Sequence, residues 1–187
     1  MSQDSNTQKS DARRLALTAR KAAHGTGLDA AAQAHLRAAL VGFKGAPLAG
    51  YMPIRTEIDP LPVMAAHDGP VGVPVITGPG QALVFHRWRP GCPMVEGPFG
   101  ARVPAEPVPI TPRVLIVPLV GFDARGFRLG YGGGFYDRTL ATLRKAGPVT
   151  ALGFAYAAQE RPALPVDGFD QRLDAVVTEN GIRQFYG

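Results

Sequence analysis

The sequence predicts an α/β layer fold built on a mostly parallel sheet, and three observations carry that reading. Residues 113–120 (RVLIVPLV) form a continuous apolar run, the pattern of a strand covered on both faces. Residues 135–146 place Tyr136, Leu140 and Leu143 at i, i+4 and i+7, one face of a helix. Short strand-like runs alternate with helical stretches, and the 23 glycines and 18 prolines punctuate them without forming a low-complexity block.

Taken in order, residues 1–10 are expected to be a flexible polar tail and 11–187 a single domain. Residues 11–23 (DARRLALTARKAA) read as a basic helix. Residues 28–43 read as a second helix, with Leu36, Ala39, Leu40 and Phe43 on one face and Asp29 as a candidate cap. Residues 48–52 (LAGYM) suit a buried strand, followed by a loop carrying Arg55 and Glu57. A short helix fits 60–67, because proline is tolerated in a first turn. Val71 to Ile76 and Ala82 to Trp88 are strand candidates, and residues 89–112, with seven prolines, read as a long surface connection. After the strand at 113–120 come a turn at 121–126, a glycine-rich segment and the helix at 135–146. Arg144 and Lys145 in the last turn, with Gly147 and Pro148 beyond, supply its stop. Residues 150–156 and 175–178 are further strands, and Gly181 to Phe185 is expected to close the chain as a short helix.

Composition bounds the function. The chain has 187 residues, 45% apolar and 19% charged, with mean hydropathy near zero, which excludes a disordered polymer. The longest apolar stretches are interrupted by Pro118, Gly121 and Gly153, and neither reaches the roughly 18–20 residues of a membrane span. Met1 to Ser10 is polar, so no secretory leader is expected and a cytoplasmic location is the default. A single cysteine, Cys92, excludes an internal disulfide and a multi-cysteine metal site. The net charge of +5 allows an anionic partner, but the arginines are scattered and no block of like charge marks a nucleic-acid surface.

The most informative stretch runs from Phe122 to Arg138 (FDARGFRLGYGGGFYDR). Gly130, Gly132, Gly133 and Gly134 cost backbone entropy and make sense where the chain turns sharply or lies against a ligand. A helix starts directly after them, and the N–H groups of such a start form an anion site that glycines let a phosphate approach. Arg128 and Arg138 flank it with guanidinium forks suited to phosphate oxygens. No Lys-Ser or Lys-Thr follows, so this is not a P-loop, and Phe135 breaks the dinucleotide fingerprint. Close packing of loop on helix is the competing reading.

This segment, with Val117-Pro-Leu-Val-Gly-Phe-Asp123 before it, resembles the signature of the 5-formyltetrahydrofolate cyclo-ligase family, also called 5,10-methenyltetrahydrofolate synthetases. The usual form has Tyr where this chain has Phe135. Tyr51-Met-Pro-Ile-Arg-Thr-Glu57-Ile-Asp59, Glu96-Gly-Pro-Phe99 leading to Pro104-Ala-Glu106-Pro, and Leu164-Pro-Val through Arg172-Leu-Asp174 match in the same order, over most of residues 11–180. The resemblance implies a three-layer domain with a central parallel sheet flanked by helices. It implies conversion of 5-formyltetrahydrofolate and ATP, with Mg²⁺, into 5,10-methenyltetrahydrofolate, ADP and phosphate. A phosphorylated formyl oxygen would activate the carbon for attack by N10.

The resemblance also implies roles. Glu57, Arg128 and Tyr136 would be catalytic. Arg128, Gly130, Gly132, Gly133, Gly134, Tyr136 and Arg138 would hold ATP phosphates. Met52, Glu57, Phe99, Tyr131 and Phe135 would line the folate pocket, and Asp137 and Asp174 would serve the metal. The family's N-terminal helix gives ATP a Lys and an Arg four residues apart. Lys9 and Arg13 have that spacing, whereas Arg14 and Arg20 fit the downstream register and put Ser10 at the Lys position; Arg14 is favoured, with Arg13 as its substitute. Without the resemblance Asp137 is a first-turn carboxylate favoured by the helix dipole, Asp174 a turn residue, and the basic helix a solvated face. His86, Trp88 and Cys92 stand in no catalytic pattern. The expected partners are ATP and a reduced folate, with or without a polyglutamate tail, with no nucleic acid or membrane and a monomer or weak dimer. Two other classes stay open: a non-catalytic folate or nucleotide-binding module, and a basic nucleic-acid-binding protein.

Overall fold

The structure is a computed structural model that describes residues 3–185, with side chains from residue 7 onward except that of Phe99. The helices are α1 (Gln3–Ala23), α2 (Asp29–Leu40), α3 (Leu61–Ala65) and α4 (Phe135–Ala146). The strands are β1 (Leu48–Ala49), β2 (Val71–Val75), β3 (Val84–Trp88), β4 (Met94–Glu96), β5 (Arg102–Pro104), β6 (Val114–Pro118), β7 (Gly121–Phe122), β8 (Arg128–Leu129), β9 (Thr150–Phe154), β10 (Ala175–Thr178) and β11 (Gly181–Gln184).

Seven strands form the central sheet in the order β11-β10-β9-β6-β1-β2-β3. The pairs within β10-β9-β6-β1-β2 are parallel, and only the edges β3 and β11 run antiparallel. The sequence-predicted α/β layering and mostly parallel sheet are therefore present. Alternation along β6 divides the core. Val114 and Ile116 face one layer with Leu36 and Leu40 of α2 and Val63 and Met64 of α3, while Leu115 and Val117 face the other with Leu140 of α4. Val114 to Val117, the first four of the five β6 residues, are fully buried, which is why that run reads as continuously apolar.

Helix α3 joins β1 to β2 on one face, and α4 joins β6 to β9 on the other, with β1 and β6 adjacent at the centre. The sheet is thus wound in opposite directions from this pair, and the segments that follow β1 and β6 come together beyond their carboxyl ends, the place where open α/β sheets bind ligands. The segment after β1 carries Tyr51 to Asp59, and the segment after β6 carries the glycine loop. The β7–β8 hairpin that leads into that loop is fixed by Asp123, whose buried carboxylate accepts the N–H groups of Arg125, Phe127 and Leu164 and pairs with the Arg125 side chain at 2.6 Å.

Several expected elements differ. Helix α1 starts at Gln3 rather than at residue 11. Its buried positions Lys9, Ala16, Arg20 and Ala23 form one face, so the helix is held by packing over a length that composition did not suggest. Asp29 does not cap α2: Leu28 occupies that position with no side-chain bond, and Asp29 accepts a 2.7 Å bond from the Tyr156 hydroxyl instead. The proline-rich span 89–112 contains a hairpin, β4 against β5, around a tight turn at 98–100. The terminal segment at 181–184 is strand β11, not a helix; it pairs back on β10 from Gly181, whose φ of +132° suits a hairpin turn. Among the described residues no helix is long and apolar enough to cross a membrane.

Candidate active site

The glycine loop leaves β8 and enters α4. Gly130, Tyr131, Gly132 and Gly133 are exposed. Gly132 (φ +101°) and Gly134 (φ +62°) hold left-handed backbone that glycine adopts without strain. Gly134 is the residue before the first helical turn, with no side-chain cap. Among the described residues, nothing accepts the backbone N–H groups of Gly132, Gly133 and Gly134. Exposed glycines, uncommitted N–H groups and a helix start together make an open anion cradle. Close packing of loop on helix is also present at Gly133 and Gly134, where a Cβ would meet Phe135 and Arg138, whereas Gly130 and Gly132 have room around them.

Two guanidinium groups touch the loop. Arg13 of α1 donates from Nε to the Gly130 carbonyl at 2.9 Å and lies beside Gly132. Arg138 donates to the Gly133 carbonyl and sits over the Phe135 ring at 5.6 Å. Arg128 is placed differently from the sequence reading. Its side chain is 5% exposed, and it donates to the Gln171 carbonyl at 2.7 Å and to Asp137 Oδ1 at 2.9 Å, bracing α4 from below. Arg14 points away, paired with Asp11 at 3.4 Å on the surface. Lys9 is also turned from the loop, bridging Asp167 and Asp170 at 3.1 Å each. The structure thus puts Arg13, named as the substitute, against the glycine loop, and the favoured Arg14 on the surface beside Asp11.

Below the loop lies a buried polar cluster that the two strand ends build together. Glu57 is 7% exposed. Burial raises its pKa, against the Ile54 N–H, Arg20, Tyr131 and Arg55, which favour the carboxylate. Arg20 of α1, 1% exposed, holds Nη1 3.8 Å from Glu57 Oε1. Its Nε donates to the Thr56 hydroxyl at 3.1 Å and its Nη2 to the Tyr131 hydroxyl at 2.7 Å, while Nη1 has no hydrogen-bond partner. Tyr131 carries the contact outward, its ring facing Arg20 and Arg55 at 5.7 Å each. Arg55 holds φ +56°, the only non-glycine residue described in that region, so the chain is strained where it passes the site. The Tyr136 hydroxyl, on the first turn of α4, is buried without a partner. Burial chiefly, then the Glu57 charge, keeps it protonated far above the ordinary phenol range, with Arg128 opposing.

Met52 and Phe135 back this site, packed against the two core layers. The side chain of Phe99 lies outside the described residues. The carboxylates assigned to metal are linked through Gln171. Asp137 Oδ1 accepts the Gln171 N–H at 2.9 Å, and Arg144 donates to Gln171 Oε1 at 3.4 Å and to Asp174 Oδ2 at 2.9 Å. Asp174 Oδ2 also accepts the Ala151 N–H, which ties it to β9. Each carboxylate has its bonds on one oxygen and keeps the other. Among the described residues no group of three or more acidic, His or Cys side chains could cage an ion. Asp137 stands in the first turn of α4 beside the glycine loop, whereas Asp174 is held by Arg144 in the last turn of α4 and by the Ala151 N–H at the amino end of β9, so the structure does not bring the two expected metal carboxylates together; Asp137 alone fits Mg²⁺ of the kind held by one carboxylate, phosphate oxygens and water.

Sequence reasoning used Arg20 only to set the helix register and gave it no role beside Glu57, and it overlooked Gln171. Arg20 had a signal: it lies at i+4 from Ala16 and three before Ala23, on an alanine-bearing face of a basic helix. Gln171 had none, because its main-chain and side-chain bonds are set by folding.

The comparisons agree with this geometry. The sequence model of the 5-formyltetrahydrofolate cyclo-ligase family matches residues 7–179. A 5-formyltetrahydrofolate cyclo-ligase from Haemophilus influenzae is 40% identical over 96 residues, 49% of this chain and 51% of that protein. One from Escherichia coli K12 is 51% identical over 71 residues, 37% of each. These matches thus span about half or less of those relatives' length. The solution structure of Aquifex aeolicus 5,10-methenyltetrahydrofolate synthetase superposes with a TM-score of 0.77 at 29% identity, covering 96% of this chain and 93% of that one. From the glycine loop, the buried carboxylate beside it and a match over nearly its whole length, the chain belongs to the 5-formyltetrahydrofolate cyclo-ligase family.

Proposed function

We propose that this chain converts 5-formyltetrahydrofolate and ATP into 5,10-methenyltetrahydrofolate, ADP and phosphate. One observation carries the reading: an exposed anion cradle at a helix start lies beside a buried carboxylate, past the carboxyl ends of the two strands where the sheet reverses direction.

A formyl amide is a poor electrophile. Transfer of the γ-phosphoryl group to the formyl oxygen turns that oxygen into a leaving group. N10 then attacks the carbon, loses its proton, and phosphate departs as the ring closes. The N–H groups of Gly132 to Gly134 grip the phosphates, with Arg13 and Arg138 at the rim. Arg128 is a brace that fixes Asp137 and the first turn of α4. Glu57 stands where a carboxylate orients the folate and takes the N10 proton, and its raised pKa suits it to hold that proton briefly. Tyr136, protonated and unpartnered, supplies an O–H to an acceptor on the substrate. Tyr131 offers the exposed aromatic face against which a pterin stacks, with Met52 and Phe135 behind it. Asp137 would hold Mg²⁺, which would supply charge neutralisation on the triphosphate, while Asp174 is bonded at the far end of α4. A cytoplasmic monomer or weak dimer accommodates this chemistry.

The test is absorbance of the methenyl product on mixing purified protein with 5-formyltetrahydrofolate, ATP and Mg²⁺. ATP-dependent product formation is expected. Binding of both ligands without product would indicate a non-catalytic module, and steeply salt-dependent RNA or DNA binding without either would indicate the nucleic-acid reading.

A further inference from the structure

We propose that Arg20 is the positioning residue for Glu57, neutralising and orienting its carboxylate from the buried face of α1. The inference rests on the cyclo-ligase reading of the site and adds to it a residue that stands behind the reacting groups rather than among them.

The guanidinium is 1% exposed, a position an arginine occupies only when its charge and donors are used. Two nitrogens are committed, one to Thr56, the neighbour of Glu57, and one to Tyr131 of the glycine loop. The third, Nη1, faces Glu57 Oε1 at 3.8 Å with no hydrogen-bond partner. One rigid fork thus spans the segment after β1 and the loop after β8. An ammonium would supply the charge but not that fork. At 3.8 Å the pair acts through charge rather than through a hydrogen bond, which leaves the fork's geometry to be fixed by Thr56 and Tyr131.

The groups acting on Glu57 can be named. The Ile54 N–H donates to Oε2 at 3.0 Å. Arg20 comes from α1, Tyr131 from the glycine loop and Arg55 from its own loop. The phenols of Tyr51 and Tyr136 and the Asp59 carboxylate complete the surroundings. Arg55 is exposed, so water screens it; Arg20 is the buried cation paired with this carboxylate, and Arg128, also buried, acts on the Tyr136 phenol beside it while its own donors go to Gln171 and Asp137.

The experiment compares Arg20→Met and Arg20→Lys with the natural chain in the ATP-dependent cyclisation. Arg20→Met is expected to move the acid limb of kcat/KM upward by on the order of one pH unit. Arg20→Lys is expected to keep the limb and lower kcat by about tenfold through lost orientation. A folded Arg20→Met enzyme with an unmoved limb would overturn the proposal. If Arg20→Met does not fold, Arg20→Lys decides alone, and natural kcat in that variant would overturn it.

A second readout needs no turnover. Removing Arg20 strengthens the preference of the folded state for protonated Glu57. Melting temperature should then fall more steeply as pH rises from about 5 to about 8 in Arg20→Met, and adding Glu57→Gln should remove the extra slope. An extra slope that survives Glu57→Gln would refute the coupling. Failure of the natural chain to form product, with the coupled slope present, would sink the functional reading and leave the Arg20–Glu57 linkage standing.

Discussion

The hydroxyl of Tyr131 accepts a 2.7 Å hydrogen bond from Nη2 of Arg20, so an aromatic residue of the exposed glycine loop is anchored to the buried face of the N-terminal helix. The bond ties the position of the phosphate cradle to that of the carboxylate beneath it. Tyr131→Phe keeps the ring and removes the acceptor. It should cost about 0.5–1.5 kcal/mol in stability and raise the KM for the folate more than that for ATP, as measured by thermal melts and two-substrate kinetics.

Glu57 is the carboxylate whose removal should matter most. Glu57→Gln preserves shape and loses charge and basicity, and kcat/KM should fall by about 10²–10⁴-fold. In the natural chain the acid limb of kcat/KM should lie above the ordinary carboxylate value of 4.5, because burial disfavours the ionised form. The sign for stability is opposite. A carboxyl whose folded pKa is raised stabilises the fold at low pH and loses that contribution as pH rises through the folded value. The melting temperature should therefore decline over that window, and less so in Glu57→Gln.

Helix α1 offers an internal comparison between neighbouring arginines. Arg13→Ala removes the contact with the Gly130 carbonyl and should raise the KM for ATP severalfold. Arg14→Ala breaks only a surface pair with Asp11 and should leave kinetics unchanged and stability within about 0.5 kcal/mol. Equal effects of the two substitutions would contradict the register assigned here.

Lys9 has a structural role. Burial pulls its pKa down, but the hydrogen bonds and charges of Asp167 and Asp170 outweigh that and raise it above 10.5. Asp167 is held low by the Phe169 N–H and by Lys9. Lys9→Met should lower stability by about 1–3 kcal/mol with ATP binding retained. The Lys9 contribution is complete below pH 10.5 and is lost as pH rises through the raised value, so the two melting curves should converge in strong alkali.

Gly134 carries the left-handed turn that opens α4. A methyl group there would meet Arg138 Nη1 at 2.8 Å while the backbone stayed at φ +62°. Gly134→Ala should cost about 1–2 kcal/mol and weaken ATP binding, whereas Gly147→Ala, at extended φ with open space around it, should leave ATP binding unchanged.

Much of the fold was legible because its signals are local. Helix α4 spans 135–146 as its apolar spacing, terminal cations and following glycine require, and β6 appears where the unbroken apolar run places it. The terminal strand β11 was misread because Gly-Ile-Arg-Gln has no alternation strong enough to declare itself; it forms by pairing with β10. The β4–β5 hairpin was hidden by prolines that sit at its ends and turn, where no ladder N–H is needed. In the site, the glycine loop was visible through its spacing, and Glu57 only through the family resemblance, since an isolated loop glutamate reads as solvated. The burial of Arg128 was not, since its partner Gln171 lies 43 residues away and meets it only when the chain folds. Arg20 was visible only to a reading that asked which face of a basic helix is packed.

The most direct measurement of the central claim is the stoichiometry of phosphate release in the purified protein. Released phosphate should equal methenyl product, and neither should appear when ATP or 5-formyltetrahydrofolate is withheld. Phosphate released without the folate, or product formed without ATP, would contradict a glycine cradle and a buried carboxylate acting on the two substrates together.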